Sequence, residues 1–401
     1  MVKGAWVNPV FGEYRVPVYG ELARRLGGSF ALLYSAERLD EGTRSRVREE
    51  LAPFAIGLTG ERRFVLPTAS RRMRTLANSS VLFPYQAGLV RALRRANPDV
   101  VITEGFFQWT PAALWWTRRS GAALVLAYER TAHTERRAGA LRTAYRRLVA
   151  RWVDAACCNG SLSRDYCSGH LGIPESRIVV GGMAAEPEYL RRHATEFTAF
   201  DCIGVGSLPR PRFLFAGRLE YGKGIDTLLT AWRELSGRVH SPHTGSLIVA
   251  GDGSELQGAK AYVSAYGLRG VHFLGKVPYR TLGGLYESSD VLVLPTREDN
   301  WSLVVAEAMA FGKPVVTTTA NGCWPELVVP GRTGWLIDAD DVGALVGVLE
   351  ECTQGFDELQ RRGAEAKAVV SKYTPETAAL AFLQAVQLAV SRRPRNSSAE
   401  T

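Results

Sequence analysis

The sequence has few of the features that mark membrane-spanning, secreted or zinc-stabilised proteins. No apolar run reaches the roughly 18–20 residues that a transmembrane helix needs. Residues 1–12 lack the charged and apolar regions of a signal peptide. The cysteines form no Cys-x-x-Cys pair and no zinc-like spacing. We therefore expect a reduced, cytoplasmic setting rather than a disulfide scaffold.

Lysine is almost absent from the first half of the chain, where arginine supplies the positive charge. Residues 1–200 contain 29 basic and 18 acidic residues, and Lys3 is the only lysine among them. The remaining residues contain 20 basic and 22 acidic ones. The basic excess is compatible with nucleic acid, an anionic membrane face, an acidic substrate or an arginine-rich proteome. Because no recognised nucleic-acid motif accompanies it, we expect no nucleic-acid partner.

The hydrophobic pattern, in contrast, is rich and regular. Short apolar runs alternate with longer amphipathic stretches, which is typical of parallel sheets covered on both faces by helices. The predicted strands are Ala5–Val7, Phe30–Tyr34, Val100–Thr103, Ala123–Ala127, Ala155–Cys158, Ile178–Val180, Phe213–Ala216, Leu247–Ala250, Val271–Leu274, Val291–Leu294, Val315–Thr317 and Trp335–Ile337. Two such series in succession predict an α/β protein with two doubly wound domains.

The predicted boundary between these domains is a stretch rich in glycine and proline, Thr195–Pro211. We expect a first domain over residues 1–195 and a second over residues 212–374. A helix at residues 375–391 follows and could pack back on the first domain. Residues 392–401 are polar and are expected to be disordered.

The loops that follow the strands of the second half carry the most chemistry. Ligands of open parallel sheets bind beyond the carboxyl ends of the strands, at helix N-termini. The glycine-rich turn after Phe213–Ala216 contains Arg218 and Lys223, two cations suited to a pyrophosphate. A second turn contains Gly253, where the backbone could approach a ligand closely. The third loop precedes a predicted helix at Ser302–Phe311 and contributes Glu298, Asp299, Ser302, Glu307 and the free amides of Leu303 and Val304.

Five ordered blocks, GRLEYGKG, AGDG, Asp-x₇-EAMAFGKPVV, PELV and PGRTGWL, resemble the C-terminal half of retaining family 4 glycosyltransferases. The resemblance is strong over about Phe213–Ile337 and weak in the first half. It implies the GT-B fold, in which two Rossmann-like domains face each other across a cleft. It also implies an enzyme without an obligatory metal or other cofactor that moves a sugar, with retention, from a nucleotide diphosphate donor to an acceptor hydroxyl. Uridine donors are the commonest in that family.

The resemblance assigns roles to individual residues. Arg218 and Lys223 match the basic pair on the donor diphosphate, Glu307 the acid on the ribose, and Asp299 the acid on the donor sugar. Most members carry glutamate at the position of Asp299, so Glu298, one residue out of register, could substitute. The predicted nucleotide-sugar-binding residues are Gly12, Arg218, Lys223, Gly253, Glu298, Asp299, Ser302, Leu303, Val304 and Glu307. The predicted catalytic residues are Arg218, Lys223, Asp299 and His133.

The acceptor is expected in the first half, at the loops that follow its strands. The predicted acceptor-binding residues are Tyr14, Arg15, Glu104 and Glu129, with His133 near the reacting carbon and Gly12 leaving room for the backbone. A lipid-linked saccharide of a cell-surface polysaccharide is the favoured acceptor. A soluble small molecule is the alternative acceptor. A separate alternative for the whole protein is a sugar-nucleotide binder without catalytic activity.

One predicted helix of the first half, Thr134–Val153, leaves two interpretations open. It places Leu141, Tyr145, Leu148, Val149 and Trp152 on one side and most of its arginines elsewhere. Such a stripe either packs against the sheet or lies on an anionic lipid surface. The second interpretation would make the protein a peripheral one at the inner face of the cell membrane.

Overall fold

The computed structural model describes residues 2–67, 76–78, 80–199, 201, 203–238 and 245–393. The strands are β1 (Gly4–Val7), β2 (Phe30–Ser35), β3 (Ala55–Leu58), β4 (Glu61–Pro67), β5 (Ser80–Gln86), β6 (Val100–Glu104), β7 (Ala123–Tyr128), β8 (Ala155–Cys158), β9 (Ile178–Val180), β10 (Arg212–Ala216), β11 (Ser246–Ala250), β12 (Val271–Gly275), β13 (Val291–Leu294), β14 (Val315–Thr318) and β15 (Gly334–Ile337).

The helices alternate with these strands along most of the chain. They are α1 (Val16–Arg25), α2 (Glu41–Leu51), α3 (Leu89–Ala96), α4 (Thr110–Ser120), α5 (Ala132–Glu135), α6 (Ala140–Ala150), α7 (Ser161–Gly169), α8 (Pro187–Arg192), α9 (Ile225–Arg238), α10 (Leu256–Ala265), α11 (Leu282–Glu287), α12 (Leu303–Ala310), α13 (Trp324–Leu327), α14 (Val342–Gln354), α15 (Phe356–Val370) and α16 (Pro375–Ser391). Within the described ranges, no helix is long and apolar enough to cross a membrane.

The chain divides into two compact units. The described residues of the first unit lie within Met1–Thr68, Ser80–Ala184 and Tyr373–Thr401, and those of the second within Ala69–Ser79 and Ala185–Lys372. The second unit therefore begins before residue 195, where the sequence placed the end of the first domain. The reason is that α8 packs on α11, where a side chain on Gly283 would collide with the carbonyl of Leu190.

The first unit is built on a parallel sheet with the order β3-β2-β1-β6-β7-β8-β9. Neighbouring side chains of its central strands enter cores on opposite faces, as the two-residue period of a strand requires. Trp6 joins a core on one face, whereas Ala5 and Val7 join a core on the other. β4 and β5 pair antiparallel in a separate ribbon.

The last helix, α16, belongs to the core of the first unit. Phe382 packs on Trp6 with ring centroids 4.4 Å apart, and small buried residues such as Ala378 and Ala385 let the helix lie close to its neighbours. Arg393 bonds to Asp154 at 2.9 Å and to the carbonyl of Ala122 at 3.0 Å. The tail predicted at 392–401 is therefore ordered at its start, and its later residues lie outside the described part.

The second unit is built on a parallel sheet with the order β12-β11-β10-β13-β14-β15. Its central strands are buried on both faces, which explains why they are continuous apolar runs in the sequence. The two series of parallel strands with helices confirm the predicted α/β class. All twelve predicted strands are present to within two residues at their ends.

The sequence prediction missed three strands and the division of one helix. β3, β4 and β5 were not predicted. The segment predicted as one helix, Thr134–Val153, forms α5 and α6, because Gly139 interrupts it with an extended backbone (φ −65°, ψ 160°). Of its predicted stripe, Val149 is buried, whereas Leu141, Leu148 and Trp152 are exposed.

Candidate active site

Each sheet has one point where the strand order reverses, and ligands of such sheets bind there. In the second unit the reversal lies between β10 and β13, which are hydrogen-bonded neighbours. The loop after β10 contains Arg218 and Lys223, and the loop after β13 contains Glu298 and Asp299. The fold therefore places the two predicted donor-binding loops side by side.

Main-chain contacts fix these loops to one another. The carbonyl of Gly222 accepts hydrogen bonds from the Thr296 hydroxyl at 2.7 Å and from the Arg297 amide at 2.8 Å. Gly224 has φ +70°, and a side chain there would collide with the carbonyl of Pro295. Gly251, after β11, has φ +149°, and a side chain there would collide with the carbonyl of Gly217. Glycine is required at both positions, because another residue would push the loops apart.

Lys223 and Asp299 form an ion pair in this site. The Lys223 ammonium and the Ser302 hydroxyl both donate to Oδ2 of Asp299, and the Trp301 amide donates to Oδ1 at 3.2 Å. Burial by itself would raise the pKa of the Asp299 carboxyl, but Lys223 and these hydrogen bonds lower it below its usual value. Asp299 is therefore a charged residue that positions the Lys223 ammonium.

The remaining predicted groups of these loops are placed differently. The side chain of Arg218 is exposed to solvent. Leu303 and Val304 form the first turn of α12, and the N-cap residue Ser302 makes no side-chain cap to it. Its first amides are therefore available to an anion. Gly253 packs against the backbone of Leu219, so it serves loop packing.

Glu298 is used inside the second unit. Its Oε1 accepts a hydrogen bond from the amide of Ala77 at 2.5 Å. The neighbouring Leu76 is buried and lies 3.0 Å from the position that a side chain on Gly222 would occupy. Glu298 thus positions residues 76–78 on the loop after β10. No feature of the sequence predicted this contact, because 221 residues separate the two partners.

Glu307 is fully buried on α12. Its Oε2 accepts a hydrogen bond from the hydroxyl of Tyr286 at 2.6 Å, while its Oε1 makes no hydrogen bond within the described part of the chain. Burial raises the pKa of Glu307 to about 7, and the Tyr286 and Tyr279 hydroxyls oppose that rise. Neither tyrosine was identified from the sequence.

The first unit has a pocket at its own reversal, between β1 and β6. Its volume is about 280 Å³, and its lining includes residues from the loops after β1, β6 and β7. The lining residues are Asn8, Val10, Phe11, Tyr14, Arg15, Glu104, Gly105, Phe106, Phe107, Gln108, Ala127, Tyr128, Glu129, Arg130 and Arg146. The four predicted acceptor-binding residues, Tyr14, Arg15, Glu104 and Glu129, are therefore brought together.

Acids and arginines alternate in this pocket. Asn8 donates to Glu104 at 3.2 Å, and the Arg15 guanidinium lies 4.0 Å from the same carboxylate. Burial raises the pKa of Glu104 to about 7, with Arg15 opposing the rise and Glu129 adding to it. The guanidinium of Arg15 also donates to the carbonyl of Gly182. Burial by itself would lower the pKa of Arg15, but the Glu104 carboxylate raises it, and the pKa lies above its usual value.

Two predicted residues of the first unit do not line the pocket. His133 lies on α5, and its catalytic role stays a prediction. Gly12 has an ordinary φ of −100°, and the space it leaves is beside the Tyr14 ring, 3.1 Å away. The sequence missed Asn8 and Arg146 as pocket residues. Arg146 is buried and paired with Glu135, and its position on a predicted helix surface gave no sign of this.

A metal centre would need several clustered carboxylate, imidazole or thiolate side chains. In the parts of the chain that the structure describes, no group of three or more His, Cys, Asp or Glu side chains could hold a metal ion. The sequence contains an Asp-x-Asp triplet, Asp338-Ala339-Asp340, after β15. Asp340 binds Arg297 at 2.7 Å and Thr227 at 3.1 Å, and Asp338 accepts from Thr319 at 3.2 Å.

Curated relatives match less than half of the chain. Glycogen synthase of Mycobacterium tuberculosis is 33% identical over 197 residues, which cover 46% of this chain and 45% of that protein. D-inositol 3-phosphate glycosyltransferase of Corynebacterium jeikeium is 31% identical over 173 residues, covering 42% of this chain and 41% of that protein. The matches thus span less than half the length of these relatives.

Solved structures match nearly the whole chain. Anabaena HepE in complex with UDP and glucose superposes with a TM-score of 0.70 at 16% identity, covering 96% of this chain and 100% of HepE. Sucrose-phosphate synthase of Thermosynechococcus elongatus gives a TM-score of 0.72 at 16% identity, covering 97% of this chain and 99% of that one. These likenesses show the GT-B fold.

Two family models match consecutive parts of the chain. The model of the group 1 glycosyl transferases matches residues 207–369, and the model of glycosyltransferase family 4 matches residues 42–181. The first range contains both loops of the second unit's reversal point. The second contains Glu104 and Glu129 of the pocket in the first unit. The chain belongs to the group 1, family 4 glycosyltransferases with the GT-B fold.

Proposed function

We propose that the protein is a retaining glycosyltransferase that moves a sugar from a nucleotide diphosphate, UDP most readily, to an acceptor hydroxyl. The observation that carries the proposal is the Lys223–Asp299–Ser302 cluster at the reversal point between β10 and β13. There a fixed cation, free helix amides and glycine-packed loops converge, and a sugar-linked diphosphate is the ligand that needs all three.

The chemical task of this cluster is to stabilise the leaving group. Breaking the anomeric C–O bond develops negative charge on the departing diphosphate. Lys223, Arg218 and the amides of Leu303 and Val304 would stabilise that charge without a metal or other cofactor. Asp299 keeps the Lys223 ammonium in place before the donor arrives, and its remaining acceptor capacity suits a hydroxyl of the donor sugar. Retention follows if the acceptor attacks on the same face and the departing phosphate takes its proton.

Glu307 would hold the ribose of the nucleotide. Its buried Oε1 has no hydrogen bond within the described residues, so a ligand hydroxyl could supply the missing donor. The Tyr286 hydroxyl fixes the other carboxylate oxygen at 2.6 Å and so orients the group. The uridine preference is supported by the complex of HepE with UDP and glucose, which shares the fold.

The pocket of the first unit would take the acceptor. Glu104 and Glu129 can accept hydrogen bonds from sugar hydroxyls, and Tyr14 offers an aromatic side chain beside them. A lipid-linked saccharide of a cell-surface polysaccharide or glycoconjugate is the favoured acceptor. A soluble acceptor is the second candidate, because relatives named D-inositol 3-phosphate glycosyltransferase match the chain.

Two measurements on the purified protein test the proposal. Thermal shift with UDP, GDP and their glucose conjugates should show selective stabilisation, because a ligand of the folded state raises its stability by mass action. Donor turnover should then fall by about 10²–10³ in Lys223→Ala and in Arg218→Ala, as for other lost charge stabilisers.

Lys260→Ala is the control for these variants, since this lysine lies on α10 beside the Phe273 ring. Near-normal turnover in both Lys223→Ala and Arg218→Ala would remove the two cations from the phosphate role. Selective stabilisation by a nucleotide sugar without any turnover or hydrolysis would instead indicate a non-catalytic binder.

A further inference from the structure

Helix α6 and the residues just after it present an apolar stripe to solvent. Leu141 is 88% exposed, Leu148 47% and Trp152 37%. Their spacing of seven and four residues places them on one face of the helix. An adjacent face is already occupied, since Val149 on α6 and Val153 just after it are buried in the core of the first unit. The exposed stripe is therefore not the side that holds the helix on the sheet.

Arginines flank this stripe. Arg147 and Arg151 are exposed and line a surface groove together with Leu148, Ala144, Thr143 and Ala140. The segment Arg136–Val153 contains six arginines and no acidic residue. Arg146 is used internally, because it pairs with buried Glu135. The surface next to the stripe consequently carries positive charge, and the segment Arg136–Val153 contributes no acidic side chain to offset it.

We propose that the α6 surface, defined as Leu141, Ala144, Arg147, Leu148, Arg151 and Trp152, docks this protein on an anionic lipid bilayer. An amphipathic helix of this composition lies in the plane of the headgroups, where its apolar side chains enter the acyl boundary and its arginines bind lipid phosphates. Tryptophan is suited to that interface, because its ring is apolar and its N–H is polar.

The combination of the two chemistries favours a bilayer over other anionic partners. A nucleic acid would satisfy Arg147 and Arg151 but would leave the leucines in water. A bilayer satisfies both the apolar stripe and the charge. The proposal rests on the proposed function in one respect only: docking would bring the pocket of the first unit to lipid-linked acceptors.

Flotation of the full-length protein with vesicles tests the docking. We expect binding to vesicles made of equal parts phosphatidylglycerol and phosphatidylcholine to exceed binding to pure phosphatidylcholine by about tenfold, and to weaken as salt is added. The double variant Arg147→Glu/Arg151→Glu should lower binding to the anionic vesicles by about tenfold or more.

A matched pair of variants tests the apolar part. Leu148 on α6 and Leu380 on α16 are both 47% exposed. Leu148→Asp should reduce vesicle binding about fivefold or more, whereas Leu380→Asp should leave it unchanged. Thermal unfolding of each variant checks that the fold is retained.

Three results would overturn the docking proposal: equal binding to both vesicle types, equal losses in the two leucine variants, or binding to duplex DNA without binding to vesicles. None of these readouts requires sugar transfer. A failure of docking is therefore distinguishable from a failure of the proposed enzymatic activity.

Discussion

The reversal points of the two sheets occupy equivalent positions, but one is formed mainly by backbone contacts and the other mainly by side chains. In the second unit, backbone contacts between glycine-containing loops form the site, and its central ion pair, Lys223–Asp299, keeps some exposure to solvent. In the first unit, the pocket is lined by side chains, and the nearby pair Arg146–Glu135 is buried. A backbone-built site suits a ligand part that is always the same, such as a diphosphate. Under the proposed function, a pocket built from side chains can vary with the acceptor.

The largest expected effect comes from breaking the buried ion pair of the first unit. Arg146→Met leaves the carboxylate of Glu135 without its main partner. The cost is large because both side chains are 2% exposed or less, so water cannot replace the lost partner. We expect a loss of about 3 kcal/mol in the free energy of unfolding. That value is at the low end for such pairs, because Arg130 also lies 3.4 Å from Glu135. Chemical denaturation of the variant and the wild type measures the loss.

The corresponding change in the second unit sharpens the comparison. Lys223→Met should lower the free energy of unfolding by only about 1 kcal/mol, because Asp299 keeps its hydrogen bonds from Ser302 and Trp301.

A double variant of the first unit is the control for this comparison. Arg146→Met/Glu135→Leu should recover most of the stability lost in Arg146→Met, since it removes both charges. Equal losses in Arg146→Met and Lys223→Met would show that burial does not distinguish the two pairs.

A smaller contrast is expected between two glycines, Gly251 directly after β11 and Gly105 directly after β6. Gly251→Ala forces a side chain against the carbonyl of Gly217 at φ +149°, so we expect a loss of about 2–3 kcal/mol. Gly105 has φ +62° with nothing within 4 Å of the missing side chain, so Gly105→Ala should cost about 1 kcal/mol. Thermal unfolding of both variants measures the difference. A costlier change at Gly105 would contradict the view that only the second site is built by backbone contact.

The same contrast explains how much of the molecule could be predicted from its sequence. The strands of both sheets are mostly buried apolar runs, so twelve of them were identified from the hydrophobic pattern of the sequence. β3 was missed because its sequence, Ala-Ile-Gly-Leu, is short and contains glycine. The extended backbone of Gly139 separates α5 from α6, and the helical periodicity of the sequence did not reveal this break.

The candidate site divides in the same way. The loop after β10 is a contiguous motif, so Arg218 and Lys223 could be selected as candidates directly from the sequence. The Ala77–Glu298 hydrogen bond joins residues 221 positions apart, and Arg146 enters the pocket from a helix that exposes Leu141 and Leu148. Such contacts depend on tertiary packing and leave no local pattern. The exposure of Leu141 and Leu148 likewise depended on which face of α6 meets the sheet.

The smallest predicted effect concerns one carboxyl in each unit. Burial raises the pKa of Glu104 and of Glu307 to about 7, above an unfolded value of 4.5. Between these two pH values the folded protein binds more protons than the unfolded chain, so its stability falls as the pH rises. Glu104→Gln cannot titrate and should remove about 1–2 kcal/mol of that fall. Thermal unfolding from about pH 5 to about pH 8 measures the difference between variant and wild type.

Glu307→Gln is the matched variant for the second unit. Arg15 faces Glu104 at 4.0 Å and favours its charged form, whereas the groups opposite Glu307 are the hydroxyls of Tyr286 and Tyr279. Removing the charge therefore also removes a favourable interaction with Arg15 in the first unit, so Glu104→Gln should gain less stability at high pH than Glu307→Gln. Parallel pH profiles for both variants and the wild type would show that neither carboxyl is protonated near neutral pH in the folded protein.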